Sequence, residues 1–281
     1  VFPEISIGGG AVKPFQLPDN FLLGTATASL QIEGGDTNNT WYRWSRQPGH
    51  IADGTDCSVA DDHWNRVPGD VALMKKLNVS VYRLSLEWSR IEPSEGKFDK
   101  KALDHYRDEI RRLKKAGIEP LVTLHHFSNP LWMEDSGGWI SESAVERFVR
   151  YAEAAVRHLG DLVSDWVTIN EPNVYLTFGY VSGTWPPGDT NIGRFLRGAR
   201  VMIRAHIAAY RKIHETRAAL GFRDTKVGAA HHLRIFDPKT GSAGERLACF
   251  LQDRLFHEIF ITGMAEGKYI LPLLSLIHIS E

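Results

Sequence analysis

Residues 165–172 read DWVTINEP and contain the strand from which the fold of this chain can be worked out. Asp165–Ile169 is rich in aromatic and β-branched side chains, which is typical of a strand buried on both faces. Glu171 and Pro172 follow it, and a proline ends a strand because it has no N–H group for the ladder. The sequence therefore predicts a buried strand that stops at an acidic residue.

A short apolar run followed by an amphipathic helix recurs on both sides of this strand. Strands are predicted over five segments: Phe21–Thr27, Val79–Ser85, Pro120–His125, Asp165–Ile169 and Lys226–Ala230. Helices are predicted at about Gly69–Leu77, over Leu103–Leu113, from Ser143 to Gly160 with Ser143 and Glu146 as a capping box, around Ile203–Tyr210, and from about Gly244. Successive strand–helix units indicate a parallel sheet in an α/β domain.

Two α/β architectures are built from such units, the doubly wound sheet and the (β/α)8 barrel. A dinucleotide-binding sheet would carry Gly-x-Gly-x-x-Gly after its first strand, but glycines 8–10 come before that strand. We therefore predict an α/β fold of the (β/α)8 TIM barrel type, of which this chain contains about the first five βα units.

Polar residues stand at the predicted carboxyl ends of four strands. Gln31 follows the first strand, Arg83 lies on the second, His126 ends the third, and Asn170 and Glu171 end the fourth. The carboxyl ends of barrel strands form the active-site face. We therefore expect these five side chains to line one mouth.

A glutamate at a barrel mouth suits glycoside hydrolysis. That reaction uses two carboxyl groups, one of which protonates the leaving oxygen. Glu171 is the candidate proton donor, and Asn170 can hydrogen-bond a sugar 2-hydroxyl, a contact that strengthens in the transition state. At this point the simpler interpretation, that Glu171 only ends a strand, stays open.

Composition argues against other classes of function. With 33 basic and 34 acidic residues, the chain gives no reason to expect nucleic acid or a membrane as partner. Cys57 and Cys249 are too few for a disulfide framework, and the histidine pairs 125–126 and 231–232 cannot chelate as pairs, since neighbouring strand side chains point to opposite faces. No metal and no cofactor are predicted. Val1–Gly10 has no signal-peptide pattern, so a cytoplasmic location is the default expectation.

Several other polar and aromatic residues have two interpretations. Four tryptophans in predicted loops could stack on sugar rings or pack within the protein: Trp41, Trp44, Trp132 and Trp185. Glu33 could be a second catalytic carboxylate or a structural residue behind the mouth, and the structural interpretation is preferred because acids at a barrel mouth often support other residues. Glu87 is expected to form a salt bridge within the barrel wall.

From about Phe15 to Gly188 the sequence resembles glycoside hydrolase family 1, the β-glucosidase and β-galactosidase family. The resemblance is carried by residues 21–34 (FLLGTATASLQIEG), 82–91 (YRLSLEWSRI), 124–127 (LHHF), 137–139 (GGW), 170–174 (NEPNV) and 179–180 (GY), in the family's order and at its separations. Phe127 departs from the pattern, because many members have tryptophan there.

The resemblance implies a retaining β-glycosidase that hydrolyses terminal bonds of β-glucosides, related oligosaccharides or aryl glycosides. It implies that Glu171 is the acid/base and that Arg83 holds the nucleophilic carboxylate by a charge-assisted hydrogen bond. The sugar hydroxyls would be bound by Gln31, His126 and Asn170.

The family's nucleophile lies on strand seven in a Thr-Glu-Asn-Gly segment, which this sequence lacks. We therefore expect residues 1–273 to be the N-terminal part of a single catalytic barrel domain, inactive by itself. Residues 274–281 depart from the family pattern and are expected to be a non-native tail. Two alternatives stay open, another barrel glycosidase such as an endo-β-glucanase and a non-catalytic sugar-binding protein.

Five units form a parallel sheet with two open edges, because a barrel closes only when its last strand pairs with its first. Open edges of this kind predict aggregation.

Overall fold

The computed structural model describes residues 16–271 and 274–278 and contains one five-stranded parallel sheet. Its strands are β1 (Gly24–Ala26), β2 (Val81–Ser85), β3 (Glu119–His125), β4 (Asp165–Asn170) and β5 (Lys226–Ala230). They lie in the order β1-β2-β3-β4-β5, without the reversal of strand order that defines a doubly wound sheet. Sequential order is that of the (β/α)8 barrel, so the predicted fold class, limited to about five units, is confirmed.

Helices follow each of the five strands of the parallel sheet. They are α1 (Ser29–Ile32), α2 (Thr40–Ser45), α3 (His63–Lys76), α4 (Trp88–Ile91), α5 (Lys100–Lys115), α6 (Leu131–Asp135), α7 (Ser143–Leu159), α8 (Pro172–Tyr180), α9 (Ile192–Ala219), α10 (Ala243–Asp253) and α11 (Ile259–Glu266). A 3-10 turn (Gly138–Ile140) precedes α7, and a π-helical segment (Arg254–Glu258) joins α10 to α11. Helices α3, α5, α7, α9 and α11 contact one another in that order and form the outer layer.

The core fills the space between the sheet and this outer layer. Trp88 lies near its centre, with the ring of Tyr151 stacked on it at 4.8 Å and that of Phe148 at 5.7 Å. All three side chains are buried. Large aromatic rings in contact contribute much of the apolar surface removed from water, so this cluster holds α7 against α4.

The predicted strands agree with the structure except at the first one. Strands β2 to β5 lie within two residues of the predicted bounds, but β1 spans Gly24–Ala26 and leaves Phe21–Leu23 outside the sheet and exposed. Gly24 is required there, because a Cβ atom would lie 2.9 Å from the carbonyl oxygen of Val81 on β2. Within the described residues β1 pairs with β2 alone, so the apolar run has one neighbour where a buried strand has two.

Two helix starts differ from the predictions. Helix α3 begins at His63, not near Gly69, and includes Pro68. The capping box at Ser143 is wrong, because Glu142 is the N-cap residue of α7 and the Ser143 hydroxyl pairs with that of Ser141 at 2.8 Å. At Ser143 a neighbouring hydroxyl two residues away thus replaces the expected cap.

Near the end of the chain, β6 (Lys268–Leu271) and β7 (Leu274–His278) pair as an antiparallel sheet of their own. The predicted non-native tail begins at β7, and its residues 279–281 lie outside the described residues, as do residues 1–10. The assignment of residues 1–273 to one domain and of the rest to a tail stays a prediction. Among the described helices, none has both the length and the apolar composition needed to cross a membrane.

A buried imidazole links the first and second outer helices. His63 at the start of α3 contacts Asp70 of the same helix at 2.6 Å through Nδ1 and Glu109 of α5 at 3.1 Å through Nε2. Burial disfavours the charged ring, but the Glu109 and Asp70 carboxylates outweigh burial and raise the pKa of His63 to about 9.

This pair of contacts predicts a pH-dependent stability. Because the folded pKa lies above the unfolded value of about 6.5, charged His63 stabilises the fold fully below pH ~6.5 and the contribution is lost as the pH rises through about 9. We expect His63→Gln to lower the free energy of unfolding by up to ~3 kcal/mol near pH 6 and by much less near pH 10. Denaturant unfolding at several pH values measures the difference.

The control is His158→Gln, because His158 contacts Asp104 at 2.8 Å on the surface. An exposed pair contributes less than ~1 kcal/mol. A His63→Gln effect that does not change between these pH values would contradict the prediction.

Candidate active site

The first feature of the site is the guanidinium group of Arg83, which contacts the two strands that follow its own in the sheet. The guanidinium of Arg83 on β2 donates through Nε to Thr123 Oγ1 of β3 at 3.1 Å, and through Nη2 to Asn170 Oδ1 at the end of β4. Burial lowers the pKa of Arg83, while the nearby carboxylate of Glu171 opposes that shift. The structure therefore brings Arg83, Asn170 and Glu171 together, as the strand-end argument predicted.

The contact with Arg83 also fixes the orientation of the Asn170 amide. A guanidinium has only donors, so Asn170 must present Oδ1 to it and its Nδ2 group lies on the other side. Asn170 is buried. Because its Oδ1 atom faces Arg83, its Nδ2 group can donate a hydrogen bond to a hydroxyl group bound at the mouth.

Glu171 has an unusual backbone conformation. Its φ of 44° and ψ of 60° are in the left-handed region, and it is the N-cap residue of α8, with Pro172 at the first helical position. Its backbone N–H donates to the carbonyl of Ala230 on β5 at 2.7 Å, and its carbonyl accepts from the N–H of Val174 at 3.0 Å. Strain of this kind persists where the surroundings impose it and is frequent at functional sites.

The two histidines at the end of β3 point in opposite directions. His125 is buried in the core, where its Nε2 lies 2.9 Å from Asn129 Oδ1. Burial, together with the charge of Arg83, lowers the pKa of His126 to about 3, so its ring is neutral. The Nδ1 atom of His126 is buried and has no hydrogen-bond partner within the described residues.

Gln31 completes the predicted set but stands apart from it. It follows β1 in helix α1, and its side chain is exposed. It makes no hydrogen bond to Arg83, His126, Asn170 or Glu171 in the described part of the chain.

The structure adds a residue that the sequence analysis considered only as a metal ligand. His232 follows β5, and its Nδ1 atom lies 3.4 Å from Glu171 Oε1. His231 points away from it, and its Nε2 contacts His257 Nδ1 at 3.0 Å. The rule that selected the other strand ends, applied to Lys226–Ala230, would have found His232.

Buried acidic residues lie behind the mouth. Glu33 accepts from Arg90 Nε and from the Tyr106 hydroxyl, each at 2.8 Å, which agrees with the structural role predicted for it. The salt bridge predicted for Glu87 is wrong. Its carboxylate instead accepts from three serine hydroxyls, and burial raises its pKa.

The four tryptophans predicted to lie in loops divide into two pairs, and the loop assignment is wrong for three of them, since Trp41 and Trp44 lie in α2 and Trp132 lies in α6. Trp41 and Trp185 are in edge contact at 5.3 Å, and Trp185 also contacts Phe127 at 5.0 Å, beside His126. Trp44 and Trp132 pack within the protein, on His50 and on Trp88. Only the first pair stands near the mouth.

In the described residues no group of three or more histidine, cysteine or acidic side chains could hold a metal ion.

The sequence matches the profile of Glycosyl hydrolase family 1 over residues 13–278, which includes strand β7. Beta-glucosidase 47 of Arabidopsis thaliana is 36% identical over 280 residues, a match that spans 92% of this chain and 52% of that protein. Beta-glucosidase A of Thermotoga maritima is 33% identical over 265 residues, spanning 92% of this chain and 58% of that protein.

Solved structures agree with the sequence matches. A family 1 b-glucosidase from Thermotoga maritima superposes with a TM-score of 0.85 at 32% identity, covering 91% of this chain and 58% of that one. A beta-glucosidase from the same organism in complex with deoxynojirimycin gives 0.84 at 32% identity, covering 92% of this chain and 58% of that one. The chain thus spans a little over half the length of the relatives it matches.

The left-handed conformation of Glu171 predicts an order of stability among its variants. A residue with a Cβ atom pays roughly 1–2 kcal/mol there, and glycine does not. After the larger unfolded-state entropy of glycine is subtracted, Glu171→Gly should be more stable than Glu171→Ala by about 1 kcal/mol. Both variants lose the carboxylate, so their difference in free energy of unfolding isolates the backbone.

The matched control is the same pair of substitutions at Glu153, inside helix α7. There alanine should be the more stable residue by about 1 kcal/mol. If glycine and alanine ranked in the same order at both positions, the strain at Glu171 would be disproved.

Proposed function

Since the chain belongs to glycosyl hydrolase family 1, we propose that it works as a retaining β-glycosidase on terminal β-D-glucosides, with Glu171 as the catalytic acid/base. One observation carries the proposal. Glu171 stands at the carboxyl end of β4, beside an Asn170 amide that is oriented by the half-buried cation of Arg83. The names of the two relatives described above, both β-glucosidases, support the substrate class.

In the proposed reaction Glu171 acts twice. Its carboxyl group first gives a proton to the glycosidic oxygen while a second carboxylate attacks the anomeric carbon, so the bond to the leaving group breaks as a glycosyl-enzyme ester forms. The Glu171 carboxylate then takes a proton from a water molecule that attacks the ester, and this restores both carboxyl groups.

The other mouth residues would bind the sugar. Asn170 would donate from Nδ2 to the 2-hydroxyl, a contact that strengthens in the transition state. His126 is neutral, so its ring has one donor and one acceptor nitrogen with which to bind a further hydroxyl. Gln31 would bind further hydroxyl groups of the sugar.

The second carboxylate is proposed to come from outside the 281 residues of this chain. Within the described residues Glu171 is the carboxylate that acts on the charge of Arg83. A guanidinium has five N–H donors, so Arg83 can still bind a nucleophilic carboxylate, which in retaining enzymes lies ~5–5.5 Å from the acid/base.

This proposal predicts that the 281-residue chain does not turn over aryl β-glucosides. Loss of one essential carboxylate removes several orders of magnitude in rate. Release of nitrophenol from p-nitrophenyl β-glucoside measures it. Turnover that disappears in Glu171→Gln would show that the chain contains its own nucleophile.

The role of Glu171 is testable in a chimera that joins residues 13–271 to the part of the Thermotoga maritima enzyme this chain does not cover. We expect the chimera to hydrolyse aryl β-glucosides. Glu171→Gln should lower the rate by ~10²–10⁴-fold for poorly activated phenols, and much less for dinitrophenol, which leaves without protonation. Azide should replace water as the second nucleophile and give a β-glucosyl azide.

Glu153→Gln serves as the control, because Glu153 pairs with Arg157 on the surface of α7. It should leave the rates unchanged. Equal losses of Glu171→Gln on good and poor leaving groups would remove Glu171 from the proton-donor role. An inactive chimera in which Glu171→Gln and the parent both bind deoxynojirimycin would instead point to a sugar-binding protein.

A further inference from the structure

The residue next to Glu171 across the mouth is His232, which no step of the proposed reaction uses. Its Nδ1 atom lies 3.4 Å from Glu171 Oε1, a separation that permits an ion pair but is longer than a hydrogen bond. Contacts of catalytic groups are often long in the absence of substrate and tighten when it binds. His232 can donate a hydrogen bond to Glu171 Oε1 only if its Nδ1 atom, and not its Nε2 atom, carries the ring proton.

Arg234 settles the position of that proton. Its Nε donates to His232 Nε2 at 3.0 Å. A guanidinium N–H can only donate, so Nε2 must present its lone pair. A neutral imidazole with a lone pair on Nε2 carries its proton on Nδ1, the nitrogen that faces Glu171.

Two hydrogen bonds to backbone carbonyls keep His232 close to Glu171. The buried Asn173 amide in α8 donates through Nδ2 to the carbonyl of His232 at 2.8 Å, and the Glu171 N–H donates to the carbonyl of Ala230 at 2.7 Å. The loop after β5 is therefore fixed to the start of α8 at two points. The cation of Arg234 in turn lies over the ring of Phe256, 5.2 Å from its centroid.

We propose that His232 is a positioning residue for Glu171, with its Nδ1–H directed at Oε1. A carboxyl oxygen that accepts a hydrogen bond is a poor place for the acidic proton. The transferable proton of Glu171 therefore resides on Oε2, and after transfer the carboxylate keeps a donor on Oε1. This inference rests on the proposed function in assigning the proton a task, but the geometry itself is independent of turnover.

Two other titratable groups lie at this mouth. Arg83 on β2 is close enough to Glu171 for the two charges to interact. His126 at the end of β3 is neutral, because burial and the charge of Arg83 lower its pKa to about 3. Neither contacts Oε1. His232 is the residue that the described structure brings to that oxygen.

The test uses the 281-residue chain labelled with ¹⁵N-histidine, in which long-range ¹H–¹⁵N spectra separate protonated from unprotonated ring nitrogens. The signal of His232 is assigned by its loss in His232→Asn. At neutral pH we expect the Nδ1–H tautomer. Arg234→Met should shift the ring toward the Nε2–H tautomer, because the donor that occupies Nε2 is removed.

Two further variants test the contact with Glu171 from each side. Glu171→Leu removes the acceptor, so the His232 Nδ1–H signal should move upfield. The ¹³C signal of the Glu171 carboxyl carbon should move in His232→Leu and return in His232→Asn, whose amide N–H stands close to the position of Nδ1–H. If His232 served only in packing, the His232 signal would not shift in Glu171→Leu, and the Glu171 signal would not return in His232→Asn.

Arg223→Met is the control, since it removes a cation from an exposed position away from the mouth. It should leave the tautomer of His232 unchanged. A wild-type Nε2–H tautomer, or an Nδ1–H signal that ignores Glu171→Leu, would overturn the proposal. Should His232→Leu fail to fold, the Arg234 and Glu171 variants still decide. None of these signals requires turnover, so their failure is distinct from failure of the proposed glycosidase activity.

Discussion

The half-buried cation of Arg83 is the interaction on which the mouth of this protein depends. A guanidinium removed from water must find acceptors, and Thr123 on β3 and Asn170 at the end of β4 supply them. Through these bonds one side chain connects three parallel strands. It also orients the Asn170 amide, so the donor end of that amide is left for a ligand.

The second constraint is the turn from β4 into α8. Glu171 adopts a left-handed conformation that costs a non-glycine residue free energy. The cost is offset by contacts around it, including the bond from its N–H to Ala230 and the bond from Asn173 to the carbonyl of His232. A glutamate is kept where glycine would fit better, and this favours a role for its carboxyl group over a role for its backbone.

Behind the mouth, buried polar groups hold the loops that support it. Glu33 is bound by Arg90 and Tyr106, and Glu87 by serine hydroxyls from three segments of the chain. Such networks are stable only when most of their members are satisfied. The mouth is thus carried by rigid elements, as a site that must hold a sugar within a fraction of an ångström requires.

The sequence by itself determined the alternation of strands and helices, the parallel sheet, and the candidate residues at four strand ends, because apolar periodicity and position after a strand are local properties. It also carried the family motifs around Arg83 and Asn170. It missed the shortened β1 and the start of α3 at His63, since the first depends on a missing neighbour and the second on carboxylates 7 and 46 residues away. The orientation of the Asn170 amide, the strain at Glu171 and the approach of His232 were decided only by the tertiary structure. All three features depend on contacts between strand ends that are far apart in the sequence. A local sequence pattern does not contain the information for such contacts.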